Sequence, residues 1–227
     1  MALRLVLSCL LLLVAASCGR PLTEAESRFA RAIHGDQVDL RRVRLVNNAP
    51  VRAYTFRIPK RPRVTCQERI FPPPQTDILT GAPAAVVLFN RIYFNRDFWL
   101  DEYVPDYPER LHLFEAMLLG HELTHVWQWQ NRARTGYHPL KAAREHGASD
   151  DPYLFDPDTP RAFLDFGYEQ QGAIVEEYIC CSALDPDAPR TARLHQMIAQ
   201  EFPISRLPRV DTILPWNGAR VDGICRR

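Results

Sequence analysis

The strongest hydrophobic pattern in the chain follows Pro108. Apolar side chains and two histidines recur there at intervals of three or four residues: Leu111, Phe114, Leu118, His121 and His125. This is the spacing of one helix face, so we predict a long helix that runs to about Gln130 with both histidines on its packed side. Further helices are predicted over residues 166–184 and 188–202, and a proline-rich, acidic loop over residues 138–160.

The stretch before this helix has a different pattern. Residues 84–95, AAVVLFNRIYFN, are rich in β-branched and aromatic side chains and predict one or two strands. Residues 19–75 mix prolines with brief apolar alternation, which is typical of an arm or an edge hairpin. Inside that arm, Thr23 and Glu26 form a capping-box pattern and predict a short helix over residues 23–33.

Composition narrows the class of protein. The 227 residues include 28 Lys and Arg against 27 Asp and Glu, and 46% are hydrophobic, which is the balance of an ordinary globular protein. A net charge of +1 without a long basic run gives no reason to expect nucleic acid as a partner. We predict an α+β fold, in which a leader over residues 1–18 and the arm over residues 19–75 precede one domain over residues 76–227.

The leader resembles an export signal. Arg4 precedes an apolar run over residues 5–16, which is too short to span a bilayer comfortably. The small residues before Cys18 resemble a bacterial lipobox, in which that cysteine is acylated, although Ala15 stands where the motif usually has a large aliphatic residue. We expect an exported, periplasmic or cell-envelope protein that a lipid on Cys18 would tether to a membrane. A short membrane anchor or a buried helix is the alternative.

Cysteine usage agrees with export. Removal of Cys9 and acylation of Cys18 would leave an even set: Cys66, Cys180, Cys181 and Cys225. Four cysteines in an oxidising compartment usually pair. A bridge between the adjacent Cys180 and Cys181 would be strained, so we expect Cys66 and Cys225 each to be joined to one of that pair.

The candidate chemistry lies in the segment HELTH, with His121, Glu122 and His125. Two histidines four residues apart on a helix point the same way, so both imidazoles can reach one Zn²⁺ ion. Zinc activates a water and polarises a carbonyl, and the neighbouring glutamate takes the proton and passes it to the leaving amine. We therefore predict a zinc-dependent metallopeptidase that acts on a peptide or protein substrate, with Glu122 as its general base.

The segments HELTHVWQ and EQQGAIVEEY together resemble the zincin metallopeptidases. The pattern is similar to that of gluzincins, and more narrowly to small bacterial HExxH proteins, some associated with secretion systems, whose activity is mostly inferred. The resemblance covers about residues 85–182. It implies a zincin-like fold, with a small sheet packed on the HExxH helix and a second helix that carries a ligand. It also implies His121, His125 and Glu169 as zinc ligands.

Two positions near Glu169 leave alternatives open. Glu176 lies two turns further along the same helix face and is the other candidate for the third ligand. Many gluzincins place an Asp four residues after the ligand glutamate to orient a histidine, and this chain has Ala173 there. We expect that role to fall to Glu176 or Glu177.

Other side chains are candidates to stabilise the oxyanion of the reaction. The available donors are Tyr137, His138, His146, Tyr168, Tyr178 and His195, of which we single out His146 and Tyr178. Trp127 and Trp129 are expected to pack in the core. The strand at residues 91–95 is expected to pair with the substrate backbone.

Two other functions fit the same residues. The first keeps the zinc but changes the substrate, and makes the protein an amidase that acts on cell-wall peptide. The second is a non-catalytic envelope or interaction protein with a degenerate site, in which the helix serves packing or holds a metal as a clip.

Overall fold

The computed structural model describes residues 19–49, 51–57, 61–148 and 151–226. The predicted export signal and the acylation site at Cys18 lie outside these residues. Among the described residues, no helix is both long enough and apolar enough to cross a membrane.

Helices and short strands both contribute to the structure. The helices are α1 (Glu24–His34), α2 (Cys66–Arg69), α3 (Leu113–Gln130), α4 (Arg132–Thr135), α5 (Pro139–Ala148), α6 (Tyr168–Leu184) and α7 (Pro189–Ile198). The strands are β1 (Arg44–Asn47), β2 (Tyr54–Arg57), β3 (Ile78–Gly81), β4 (Ala85–Leu88), β5 (Arg91–Phe94), β6 (Arg110–His112) and β7 (Asp211–Ile213). The predicted α+β class is confirmed.

The strands form three small sheets. The largest has the order β1-β5-β4, with β1 parallel and β4 antiparallel to β5. The other two are the antiparallel pair β2-β3 and the parallel pair β6-β7. The central strand β5 is paired on both sides, and β4 is an edge strand that contacts α3.

Helices α3 and α6 pack tightly against each other at the centre of the molecule. Most residues of both helices are buried, including polar ones. Two glycines allow the close approach. A Cβ atom at Gly120 would lie 2.5 Å from Ile179 Cδ1, and one at Gly172 would lie 2.6 Å from the His121 ring. A larger side chain at Gly172 would displace the buried His121 ring, and one at Gly120 would displace the end of the Ile179 side chain.

Residues 19–75, predicted as an arm, contribute to the same core. The capping box of Thr23 and Glu26 is present at the start of α1, and Phe29 and Ile33 on that helix are fully buried. Strand β1 pairs with β5, and its Leu45 is buried as well. Sequence patterning could not show this, because the partners of these elements lie far along the chain.

The two disulfide bonds join Cys66 to Cys180 and Cys181 to Cys225. This confirms the prediction that the adjacent cysteines bind different partners. The bridges fasten α2 and the C-terminal segment to α6. Disulfide bonds of this kind are typical of an oxidising environment.

The prediction of a loop over residues 138–160 is wrong for the first half of that segment, where α5 forms. Its sequence PLKAAREHGA begins with proline, which suits the first turn of a helix, and continues with strong helix formers. The prolines and aspartates that suggested a loop are concentrated after residue 150. Helices α6 and α7 are both slightly shorter than predicted.

Candidate metal centre

Three buried side chains from two helices converge on one point. The Nε2 atoms of His121 and His125 are 3.1 Å apart, and Glu169 Oε2 lies 3.2 Å from the first and 3.3 Å from the second. Ligands bound tetrahedrally at 2.0–2.1 Å from one zinc ion would be separated by about 3.3 Å. These three residues, called the ligand triad below, therefore fit such an ion.

Local structure explains how Glu169 reaches the histidines. It lies in the first turn of α6, and Gly167 precedes that helix as its N-cap. Glu145 of α5 accepts hydrogen bonds from the backbone N–H groups of Tyr168 at 2.8 Å and Glu169 at 3.3 Å. Sequence reasoning missed Glu145 because its segment was interpreted as a loop. The helix-forming residues around it were the signal that could have found it.

The charge of the site also suits a cation. Glu122, Glu169 and Glu176 are buried around the two imidazoles, so carboxylates outnumber bases. Burial disfavours the charged form of His121, but Glu176 and Glu169 outweigh burial and raise the pKa of His121 well above its usual value. Burial also disfavours the charged form of Glu122, and for a carboxylate this raises the pKa, although both histidines oppose the rise. A divalent cation would offset this excess of buried negative charge.

The two candidates for the third ligand occupy different sides of His121. Glu169 meets Nε2, whereas Glu176 Oε1 lies 3.2 Å from Nδ1, at ion-pair distance but without the alignment of a hydrogen bond. Glu176 therefore stands where an orienting carboxylate belongs. Glu177 faces elsewhere: it accepts a hydrogen bond from the Cys66 N–H at 2.6 Å and pairs with Arg190 at 3.2 Å.

An amide side chain orients the other histidine. His125 Nδ1 lies 2.8 Å from Gln128 Oε1, and Gln128 Nε2 donates to the Tyr168 carbonyl at 3.0 Å and to Gln171 Oε1 at 2.9 Å. Because an amide oxygen only accepts, His125 must donate from Nδ1, which leaves the lone pair on Nε2 for a metal. Gln128 thus links the orientation of His125 to the backbone beside Glu169.

Replacing Gln128 with leucine is expected to weaken zinc binding by about 10- to 100-fold, because His125 loses its fixed tautomer and orientation. Gln130 provides a matched control, since it is also on α3 and makes three hydrogen bonds, to Asp39 and Asn90, away from the triad. Gln130→Leu should lower the free energy of unfolding but leave zinc affinity unchanged. Competition with a chelator of known affinity and urea unfolding measure the two effects. Equal zinc affinities in the two variants would contradict this role.

The triad lies in a cleft of about 930 Å³. Residues 84–88, which include β4, form one wall, and α5 contributes Pro139, Leu140 and Ala143 to another. The prediction that residues 91–95 pair with a substrate is therefore wrong. Strand β5 has both edges occupied by β1 and β4. Within the part of the chain that the structure describes, β4 lines the cleft and has one edge without a partner strand.

Of the predicted oxyanion donors, Tyr137 lines the cleft with the triad. Tyr178 is wrong as a candidate, because its hydroxyl accepts a hydrogen bond from the Leu207 N–H away from the cleft and its ring lies against His195. The side chain of His146 lies outside the described residues. The other three candidates are engaged elsewhere. His138 Nδ1 accepts a hydrogen bond from the Leu140 N–H, the Tyr168 hydroxyl donates to the Gly136 carbonyl, and His195 Nε2 lies 3.1 Å from the Ile204 carbonyl oxygen.

Comparison with known proteins gives one structural likeness. No protein-family model matches the chain, and no curated protein matches it. Among solved structures, the effector domain of Pseudomonas aeruginosa VgrG2b is similar, with 24% sequence identity and a TM-score of 0.49 over 82% of this chain and 85% of that chain. At this level of similarity, function has to be inferred from the residues of the site alone.

Proposed function

We propose that the protein is a zinc-dependent metallopeptidase with a zincin-like fold. The observation that carries the proposal is the ligand triad, whose three donor atoms lie 3.1–3.3 Å apart on the floor of a cleft, beside the buried Glu122. Three protein ligands with room for a fourth group are typical of catalytic zinc sites, whereas structural sites are closed by four. The sheet on α3 and the ligand on α6 agree with the arrangement that the zincin resemblance implies.

The residues around the triad have separate roles in this proposal. A bound zinc ion would supply Lewis acidity, which activates water and polarises the scissile carbonyl. Glu122 lines the same cleft and accepts the proton from the attacking water, then returns it to the leaving amine. Glu176 and Gln128 hold the two histidines in position.

The edge strand β4 would bind the substrate backbone. Its residues lie along the cleft, and one of its edges has no partner strand among the described residues. An extended peptide that adds to this edge gains main-chain hydrogen bonds irrespective of its sequence. The apolar walls from β4 and α5 would then receive side chains on either side of the scissile bond.

Tyr137 is the proposed donor to the developing oxyanion. Burial raises the pKa of its hydroxyl, and Glu169 and Glu122 raise it further, so the group stays protonated and able to donate. Tyr137→Phe is expected to lower kcat about 10- to 100-fold and to change KM little, because the lost bond forms mainly in the transition state. Steady-state kinetics on a fluorogenic peptide measure both values. A change in KM alone would assign Tyr137 to substrate binding instead.

Metal removal tests the proposed function directly. Residues 19–227 should contain about one zinc per chain and cleave an unfolded protein substrate, lose that activity to a chelator, and regain it with one equivalent of zinc. Purified peptidoglycan is assayed in parallel. Turnover of peptidoglycan alone would favour the amidase, and a folded protein that binds no zinc would favour the non-catalytic alternative.

A further inference from the structure

We infer that a surface next to the cleft binds an acidic segment of the substrate polypeptide. The surface, called the arginine–aromatic patch, consists of Arg41, Arg42, Arg44, Phe89, Trp129 and Arg132. This inference rests on the proposed peptidase function, because the patch continues the cleft that would hold the substrate.

An unfavourable turn exposes Phe89. Phe89 and Asn90 form the two-residue turn between β4 and β5, where Leu88 pairs with Arg91. Phe89 has a φ of 62°, in the left-handed region that favours glycine or asparagine, and its side chain is 52% exposed. This backbone conformation destabilises the fold by on the order of 1 kcal/mol when the residue is bulky. Because about half of the Phe89 side chain is exposed, its burial offsets little of that cost. The turn thus presents an aromatic ring to solvent at the expense of stability, which points to a binding role.

Phe89 is part of an aromatic and cationic stack. Its ring centroid lies 4.6 Å from that of Trp129, and the Arg132 guanidinium lies 4.4 Å from the Trp129 ring. Arg132 also donates to the Trp129 carbonyl at 3.3 Å. Trp129, which was expected in the core, is only partly buried, and these contacts hold its ring together with the exposed Phe89 and Arg132 at the C-terminal end of α3.

The other arginines of the patch are held beside this stack. Gln130 bonds to both Asp39 and Asn90, and the Arg44 N–H donates to the Asn90 carbonyl at 2.9 Å. These bonds bring together three parts of the chain: the C-terminal end of α3, the β4–β5 turn, and the segment that carries Arg41 and Arg42.

The patch is electrostatically suited to carboxylates. Arg41, Arg42 and Arg132 are exposed, and Arg41 is paired with Asp39 at 3.1 Å. Arg44 is partly buried and donates to the Arg41 and Val43 carbonyls. The whole chain has a net charge of only +1, so this excess of positive charge is local. Arginines beside an exposed aromatic ring favour acidic partners that also carry apolar side chains.

Continuity with the cleft identifies the partner as the substrate. Leu88 lines the cleft, and Phe89 is the next residue of the chain. A peptide that pairs with the open edge of β4 would leave the cleft at the β4–β5 turn, where Phe89 lies, and its extension would reach the arginines beside β1 by crossing that end of the sheet. Acidic residues a few positions from the scissile bond would then meet the arginines, while the residues at the bond itself fill the apolar cleft.

Peptide binding to the zinc-loaded Glu122→Gln protein tests the inference without turnover. All the fluorescent peptides share one apolar core. Each carries a four-residue extension on its N- or C-terminus, made of glutamate, of lysine, or of glycine and serine. Glutamate on one terminus is expected to lower Kd about tenfold relative to glycine and serine, with a smaller effect at high salt. Arg41→Glu with Arg42→Glu should abolish this preference and leave kcat of the otherwise wild-type enzyme on the core peptide unchanged.

A charge-matched control uses Arg206→Glu with Arg209→Glu. These arginines are exposed, and Arg209 is paired with Asp187 much as Arg41 is with Asp39, but neither lines the cleft. The control should keep the preference for glutamate. For the aromatic part, Phe89→Ser should weaken every extended peptide about threefold, while Ile213→Ser, at a 41% exposed apolar position, should not.

Three results would overturn the inference. The first is equal affinity for all extensions, and the second is a glutamate preference that survives in the Arg41 and Arg42 variant. The third is binding to phosphatidylglycerol vesicles without any preference among peptides, which would assign the patch to a lipid surface. If the wild type cleaves the core peptide but shows no preference for glutamate, the role of the patch is refuted and the peptidase function stands. A glutamate preference in a protein that cleaves nothing would support the patch and refute the peptidase.

Discussion

Replacing Glu122 with glutamine is expected to lower kcat about a thousandfold or more and to leave zinc bound. Glutamine has nearly the same shape, but its amide cannot accept the proton that the general base must take. Glu122 is not part of the ligand triad, so the three donor atoms within 3.1–3.3 Å of one another remain. Metal analysis of the purified variant and its kcat on a fluorogenic peptide measure the two expectations separately.

Glu201→Gln is the control for this experiment. Glu201 is also a buried carboxylate, but it pairs with Arg134 and does not line the cleft. Its variant should keep kcat within a small factor of the wild type. Undiminished hydrolysis in the Glu122 variant would refute its role as base, and loss of zinc from that variant would make it a ligand instead.

Replacing Glu169 with alanine is expected to remove zinc from the protein. If three ligands share roughly 10 kcal/mol of binding free energy about equally, the loss of one costs about 3 kcal/mol, which is more than a hundredfold in affinity. Glu176→Gln should retain zinc with an affinity lower by about 10- to 100-fold, because Glu176 lies against His121 Nδ1 and its proposed role is to orient the ring.

Zinc titration of both variants in the presence of a competing chelator separates the two glutamates. Thermal unfolding with and without zinc shows in addition whether each apoprotein folds, because a ligand that binds the native state raises its apparent stability. Retention of tight zinc binding by Glu169→Ala together with its loss in Glu176→Gln would reverse the assignment.

The sequence by itself determined the local parts of the site. Spacing of four residues on a predicted helix brings His121 and His125 to one side of α3, since helix geometry depends only on neighbouring residues. The capping box at Thr23 and the division of Cys180 and Cys181 between two disulfides also followed from short-range geometry. The α+β class was predictable for the same reason.

Tertiary structure decided everything that depends on contacts between distant segments. Glu169 and Glu176 lie on the same helix face, and only the packing of α6 on α3 shows which one meets Nε2 of His121. Gln171 lies 43 residues from Gln128, so their hydrogen bond leaves no sign in a local pattern.

The choice of β4 as the proposed substrate strand has the same origin. β4 and β5 both have the composition of strands, and their own sequences do not reveal which one lies at the edge. The pairing of β1 with β5 covers one side of β5 and leaves β4 as the edge beside the cleft. Strand propensity is a property of neighbouring residues, whereas sheet order is set by long-range pairing, and for that reason only the folded structure could assign this role.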